Sequence, residues 1–350
     1  MHDNITIVQI MMNSSFGGAE KIFVDTSNIL SKSGFSVHAI ITPDFSGKHL
    51  LEASSTLVIH DLQCISRHDI FAQYKLFKLL LKIKPDLIHA HLRKSITLSL
   101  LPKRLTGIPL VSTMHNYGNI KTYSKCDYLI ALTQDQLDYF CYNSSSVTPV
   151  KVIPNFSLFT PKASTISTQG PLRLLAYGRM EYKKGFDLLI QAVQLCLDND
   201  INVQLTLVGN GSRKQELSNM IAANTPLNES VDILDWSNNI PALLQANDIF
   251  VLPSRSEPFG IVVIEAMSQG KAIISTLTEG PYQILSANNS LLCEVDSETS
   301  LYESIKALND DRDLAQSISD QALLEYKTKY FYPNVLPQLT EYYQQIIDSK

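Results

Sequence analysis

Apolar residues along this chain fall into short unbroken runs, separated by longer stretches in which apolar positions recur every three or four residues. In the first half the runs are Ile5–Met11, Ser36–Thr42, Thr56–His60, Asp86–His89, Leu110–Thr113, Tyr128–Ala131 and Val150–Ile153. Continuous rather than alternating apolar character marks strands covered on both faces, as in a parallel sheet between helices. Ala19–Ser31 and Ala72–Ile83 carry the helical period and read as crossover helices. The pattern breaks at Pro154-Asn155, and the Ser-, Thr-, Pro- and Gly-rich stretch from Ser157 to Pro171 reads as a linker. It then restarts with Arg173–Tyr177, Val203–Val208, Asp232–Leu234, Asp248–Leu252 and Ala272–Ser275, and Tyr332 to Ile347 reads as a last, aromatic-rich helix. The prediction is an α/β chain of two doubly wound, Rossmann-like domains, residues 1–160 and 161–330, facing a central cleft. Residues 331–350 form a C-terminal helix expected to pack back on the first domain.

With 350 residues, 45% hydrophobic, and a mean hydropathy near zero, the composition suits two ordinary globular domains. The net charge of −5 hides an asymmetry. Through Asn155 there are 15 Lys and Arg against 11 Asp and Glu; the remainder holds 14 against 23. So acidic a second half argues against a nucleic-acid partner, while the basic first half suits an anionic acceptor or membrane surface. The five cysteines are scattered without a C-x-x-C pair, which reads as structural thiols in a reducing compartment. The opening MHDNITIVQIMM lacks the pattern of a signal peptide, and no uncharged apolar run approaches a membrane span, so a cytoplasmic location is expected.

In doubly wound folds ligands bind beyond the carboxyl ends of the strands, where the unusual residues of this chain cluster. After the strand ending at Pro253, Pro258-Phe259-Gly260 opens a helix expected to run to about Gln269. Its unpaired amides and positive dipole end favour an anion such as a diphosphate. Glu257 and Glu265 flank the helix start with seven residues between them. They suit paired sugar and ribose hydroxyls, or are simply a carboxylate favoured by the dipole and an incidental helix residue. Arg179, Lys183 and Lys184 follow the first strand of the second half; two fixed cations there, Arg179 and Lys184, would stabilise a departing diphosphate, unless the segment is a solvated basic loop, and Lys183 reads as solvated. Val208-Gly209-Asn210-Gly211 ends the next strand and opens a helix, a weak glycine turn without the third glycine of a dinucleotide site. Trp236 either covers a base or fills the core. In the first half, Gly17-Gly18 lets a substrate approach the backbone. His89, His91, Arg93 and His115 stand at strand ends; His89 and His91 share a face, but no third metal ligand accompanies them. Phe71 to Lys84 interleaves four lysines with apolar residues and reads either as a membrane-surface helix or as a crossover helix with a solvated basic face.

Glu257-Pro-Phe-Gly-Ile-Val-Val-Ile-Glu265, preceded by Asp-x-Phe-Val-x-Pro-Ser, resembles the E-x7-E signature of retaining glycosyltransferases of family 4, with the GT-B fold. The resemblance spans nearly the whole chain. It implies that Glu257 contacts the transferred sugar and Glu265 the ribose, with the backbone at Phe259, Gly260 and Ile261 facing the distal phosphate and sugar. Arg179 and Lys184 match the cations that hold the diphosphate. Gly209 and Asn210 lie beside the nucleotide, Gly17 and Gly18 close over the phosphates, and His115 sits in the cleft against the sugar. His91 and Arg93 border the acceptor. The implied reaction moves a hexosyl- or N-acetylhexosaminyl-type unit from a UDP- or GDP-linked sugar to a hydroxyl of a glycan or lipid-linked acceptor, with retention and no required cofactor or metal. Assembly of cell-surface polysaccharide or lipopolysaccharide is the default setting.

Three motifs depart from the family. Its Pro-Asn-Gly reads Pro154-Asn155-Phe156, its Gly-Gly-x-x-Glu loop ends in Gln283, and its Asn-Gly-Leu-Leu reads Asn289-Ser290-Leu291-Leu292. These bear on which sugar is bound and leave Arg179, Lys184, Glu257 and Glu265 untouched. A non-catalytic nucleotide-sugar-binding partner, a sugar phosphorylase or an epimerase on the same fold are the rival readings.

Overall fold

The computed structural model describes residues 5–237 and 239–349. The chain divides into two compact units, residues 1–155 with 335–350 and residues 156–334. In the first, seven parallel strands, β1 (Thr6–Met11), β2 (Ser36–Ile41), β3 (Leu57–Asp61), β4 (Leu87–His91), β5 (Leu110–Thr113), β6 (Tyr128–Ala131) and β7 (Val150–Val152), lie in the order β3-β2-β1-β4-β5-β6-β7. In the second, six parallel strands, β8 (Leu172–Tyr177), β9 (Val203–Val208), β10 (Val231–Leu234), β11 (Ile249–Leu252), β12 (Ala272–Thr276) and β13 (Leu291–Cys293), lie in the order β10-β9-β8-β11-β12-β13. Both are doubly wound sheets, and their order reverses between β1 and β4 in one and between β8 and β11 in the other. Loops leaving neighbouring strands there diverge to opposite faces and open a crevice.

The strands form where apolar runs exclude water from both faces. Ile7, Val8, Ile10 and Met11 of β1 and all of β11 are fully or nearly fully buried. β13, which the apolar pattern does not predict, is three residues held by pairing with β12. The helix predicted from Phe71 is Ile70–Ile83, the crossover between β3 and β4; Asp69 caps it by accepting from the Ala72 amide (3.0 Å). The helix after β11 is shorter than predicted, Ile261–Ser268 with Gly260 as its N-cap, and the one after Gly209 begins only at Lys214.

Residues 157–171 have no regular structure beyond one bridge, yet they do not behave as a loose linker. Ser157 pairs with Phe331, and the Tyr326 hydroxyl donates to the carbonyls of Ser157 and Phe159 (3.1 and 2.6 Å). Ile166 is buried in the core of the second unit. The composition signals the absence of a helix or strand; the anchoring partners lie more than 100 positions away, where composition is blind to them.

One anchor is a buried lysine. Lys271, 1% exposed, donates to Ser164 Oγ (2.6 Å) and the Asn247 carbonyl (2.9 Å). Burial pushes its ammonium down to about 8, against the partial support of Asp248. Between pH 8 and the ordinary lysine value the unfolded chain binds the extra proton, so this site adds stability as pH rises through that window. Lys271→Met is expected to lose this slope: in urea unfolding from pH 7.5 to 9.5, the wild type should gain on the variant by about 1 kcal/mol per pH unit at its steepest. A constant difference would place the lysine's pKa at its ordinary value.

Candidate active site

In the second unit the loops leaving β8, β9, β11 and β12 are fastened to one another at the carboxyl edge of the sheet. The β8 loop turns through Tyr182–Lys184 and is stapled to the β11 loop by Arg255. The Arg255 amide donates to the Lys183 carbonyl (2.8 Å), and its guanidinium donates to the Tyr182 carbonyl (2.8 Å) while lying 4.0 Å over the Tyr182 ring. The same guanidinium grips Asp187 through two bonds of 2.9 and 2.8 Å, and Arg213 pairs with Asp187 from the other side (3.1 Å). Asp187 is held below the usual carboxylate range because these guanidiniums outweigh its burial. A charge-assisted bidentate pair of this kind fixes geometry as well as energy.

On that frame Lys184, mostly buried, forms an ion pair with Glu257. Arg179 is exposed, its carbonyl accepts from the Glu181 amide (2.8 Å), and its guanidinium makes no hydrogen bond or ion pair among the described residues. Glu257 is held at its backbone too: its carbonyl accepts from Gly280 (2.8 Å) and its amide faces the Glu279 carboxylate (3.4 Å). Phe259 is buried, Gly260 caps the helix, and Ile261 is its first residue. Glu265 lies inside rather than at the surface and accepts from the Tyr177 hydroxyl (2.8 Å). Burial, followed by the neighbouring carboxylate, raises Tyr177 well above its ordinary value, so the phenol stays a donor. Asn210, after β9, accepts from Lys214 (3.1 Å), which also pairs with Asp235 after β10. Trp236, 47% exposed, does not fill the core, which removes one of its two readings.

In the first unit Gly17 caps the helix Gly18–Lys32 that follows β1, and its carbonyl accepts from Lys21 (2.8 Å). His91 ends β4, and the next residue, Leu92, has a left-handed backbone (φ 65°) that a branched side chain adopts only under constraint. His91 is buried and bonds to half-buried His115, whereas Arg93 is exposed. His89 and His91 stack at 4.2 Å, and both nitrogens of each are engaged by neighbouring side chains. Among the described residues no group of three or more His, Cys, Asp or Glu side chains is placed to hold a metal ion.

A family profile described as "Glycosyltransferase Family 4" matches residues 16–156, and one described as "Glycosyl transferases group 1" matches residues 161–324. The chain belongs to glycosyltransferase family 4. It is similar to the lipopolysaccharide core biosynthesis glycosyltransferase LpsD of Rhizobium meliloti, 26% identical over 322 residues covering 90% of this chain and 91% of that protein. It is also similar to the UDP-Gal:alpha-D-GlcNAc-diphosphoundecaprenol alpha-1,3-galactosyltransferase of Escherichia coli, 23% identical over 89% of each. The structure of Anabaena Alr3699/HepE in complex with UDP and glucose superposes with a TM-score of 0.85 at 20% identity, covering 98% of this chain and 100% of that one. The fold is thus GT-B, with two Rossmann-like domains, and the protein is a glycosyltransferase.

Each domain brings its own share of the expected residues to one sheet edge: Arg179, Lys184, Gly209, Asn210, Glu257, Gly260 and Glu265 in the second, Gly17, Gly18, His91, Arg93 and His115 in the first. Sequence reasoning missed Arg255, Asp187, Tyr177 and Gln9. Only Gln9 left a signal, as the one polar residue inside the run IVQIMM.

The fit between loops is tight enough to test. A Cβ on Gly209 (φ +150°) would stand 1.9 Å from the Gly178 carbonyl oxygen, whereas one on Gly170 (φ +78°) meets nothing within 4 Å. Gly170→Ala should cost only the dihedral penalty, about 1 kcal/mol, and Gly209→Ala at least about 2 kcal/mol more in chemical unfolding. Equal costs would mean that the β8 and β9 loops are free to part.

Proposed function

We propose that this enzyme transfers a hexosyl-type unit from a UDP- or GDP-linked sugar to a hydroxyl of a glycan or lipid-linked acceptor, with retention of configuration. The observation that carries the reading is the grouping of unpaired Arg179, the Lys184–Glu257 ion pair and the Gly260 helix start on one rigid edge. A departing diphosphate gathers negative charge; Arg179, Lys184 and the helix amides are preorganised cations and dipoles of the kind that stabilise it. Glu257 holds Lys184 in place and offers its other carboxylate oxygen to sugar hydroxyls, while buried Glu265 is the acceptor for the ribose. With no side chain assigned as a covalent nucleophile, the acceptor attacks from the face the diphosphate leaves, and the leaving phosphate oxygen takes the acceptor's proton. The new glycosidic bond forms as the sugar–phosphate bond breaks, and the products are glycoside and nucleoside diphosphate. Support for a UDP donor comes from the UDP in the Anabaena structure and the UDP-Gal in the name of the E. coli relative.

A thermal-shift screen of UDP-, GDP- and ADP-sugars is expected to show stabilisation by one nucleotide, lost in Glu265→Ala and Arg179→Ala. Turnover should fall about 10²–10³-fold in Arg179→Ala and Lys184→Ala, the usual size for an oxyanion stabiliser. A folded protein that no nucleotide sugar stabilises would instead be a non-catalytic member of the family.

The acceptor is met, on this proposal, at an anionic bilayer facing the cytoplasm. No helix of the described residues is long and apolar enough to cross a membrane. The outward stripe of the helix Ile70–Ile83, however, carries Phe71 (81% exposed), Tyr74, Lys75, Lys78, Leu81 and Lys82, with Ile70 (73%) at its start. Exposed apolar residues interleaved with lysines and without an acid suit insertion among anionic headgroups. The lipid-linked substrate named for the E. coli relative fits such a setting. Sedimentation with vesicles should therefore require anionic lipid, weaken with salt, and fall about tenfold or more in Ile70→Ser/Phe71→Ser. Equal binding by that variant would make this face an ordinary solvated one.

A further inference from the structure

Six polar side chains of the first domain form one unbroken hydrogen-bonded chain across a buried face of its sheet. Thr113 Oγ1 lies 2.9 Å from His89 Nε2, and His89 Nδ1 lies 2.6 Å from the Tyr343 hydroxyl. The Tyr343 oxygen accepts from Gln9 Nε2 at 3.3 Å. Gln9 Oε1 lies 2.8 Å from His91 Nε2, and His91 Nδ1 lies 3.0 Å from His115 Nε2. Gln9 pairs in register with His89 across β1 and β4, and Thr113 with His91 across β4 and β5, so the strands deliver these groups side by side. Tyr343 comes from the far end of the chain, on the buried side of the helix Tyr332–Asp348.

Burial favours neutral imidazoles, holding His89 down to about 3, His115 to about 4 and His91 well below its ordinary value, with repulsion among the three rings adding to the effect at His89 and His91. A neutral imidazole has a single N–H, so each link constrains the next. Gln9 sets the direction, because its oxygen only accepts and its nitrogen only donates. His91 must then donate from Nε2, which leaves its Nδ1 bare; His115 must donate into it from Nε2, which leaves His115 Nδ1 bare. In the other direction the Gln9 amide occupies a Tyr343 lone pair, the Tyr343 proton goes to His89 Nδ1, and His89 Nε2–H donates to Thr113. Every link carries one proton.

We infer that Gln9 and Tyr343 are positioning residues that set the tautomer of His115, holding its Nδ1 as a proton-free acceptor. That nitrogen has no hydrogen-bond partner among the described residues. It therefore accepts from a hydroxyl or amide N–H and repels a carboxylate or phosphate oxygen. Where the inference rests on the proposed placing of His115 against the transferred sugar, it makes the residue a selector for a hydroxyl at that contact; the tautomer itself does not depend on that placing.

The test is long-range 1H–15N correlation of the full chain labelled at histidine nitrogen, with rings assigned by single His→Gln variants. In the wild type, His91 and His115 should each show a pyrrole-type Nε2 and a pyridine-type Nδ1. Tyr343→Phe removes the group that holds the Gln9 amide, so both residues should move toward tautomer-averaged positions. Tyr342→Phe deletes a neighbouring buried hydroxyl that donates to the Leu129 carbonyl (3.2 Å) outside the chain, and should leave them unchanged. A protonated or averaged His115 Nδ1 in the wild type, or equal shifts in both tyrosine variants, would overturn the inference. A protein that showed the expected tautomers but bound no nucleotide sugar would sink the proposed reaction and leave the relay standing.

Discussion

A parallel sheet covered on both faces leaves almost no room for an unpaired polar group, and this constraint shapes the whole molecule. The strand ladders satisfy the backbone, and apolar side chains fill both sides, so polar chemistry is displaced to the strand ends. Where the order of strands reverses, those ends open a crevice, and β1, β4, β8 and β11 border the two reversals. Buried polar side chains in or beside the strands find partners: Gln9 and His89, within β1 and β4, meet Tyr343, while Asp248 and Lys271, just before β11 and β12, meet the Arg173 guanidinium and Ser164 with the Asn247 carbonyl.

The two domains meet the constraint differently. The second gathers charge and fixes it by pairing, so that Arg255, Asp187 and Arg213 form a rigid frame on which Lys184 and Glu257 sit and from which Arg179 projects unpaired. The first keeps the imidazoles of His89, His91 and His115 neutral, chiefly through burial. On the proposed reaction this is a sensible division: charge stands ready where a diphosphate leaves, and uncharged acceptors where sugar hydroxyls are sorted.

The regular elements were legible because their signal is local. Runs such as Ser36–Thr42 and Ala272–Ser275 match strands to within a residue or so, since burial on both faces writes itself into consecutive positions. β13, Leu291–Cys293, was not read from the sequence; it is held in the sheet by its pairing with β12. The stretch after Asn155 was legible as irregular and misleading as a linker, because its hydrogen-bond partners come from Tyr326, Lys271 and Gln316. Of the two readings of Trp236, only its exposure in the fold chose.

The sequence alone was enough for the fold class, two doubly wound parallel sheets, since each strand is written in consecutive residues, and it carried the Glu257/Glu265 signature within nine positions. It also named Arg179 and Lys184, but not that one is paired and the other unpaired. Only the tertiary structure decided that Glu265 is buried beneath Tyr177, that Arg255 holds the β8 loop, and that Tyr343 completes a chain reaching His115. Those facts depend on groups up to 334 positions apart brought within hydrogen-bonding distance by packing, and no local pattern records such a meeting.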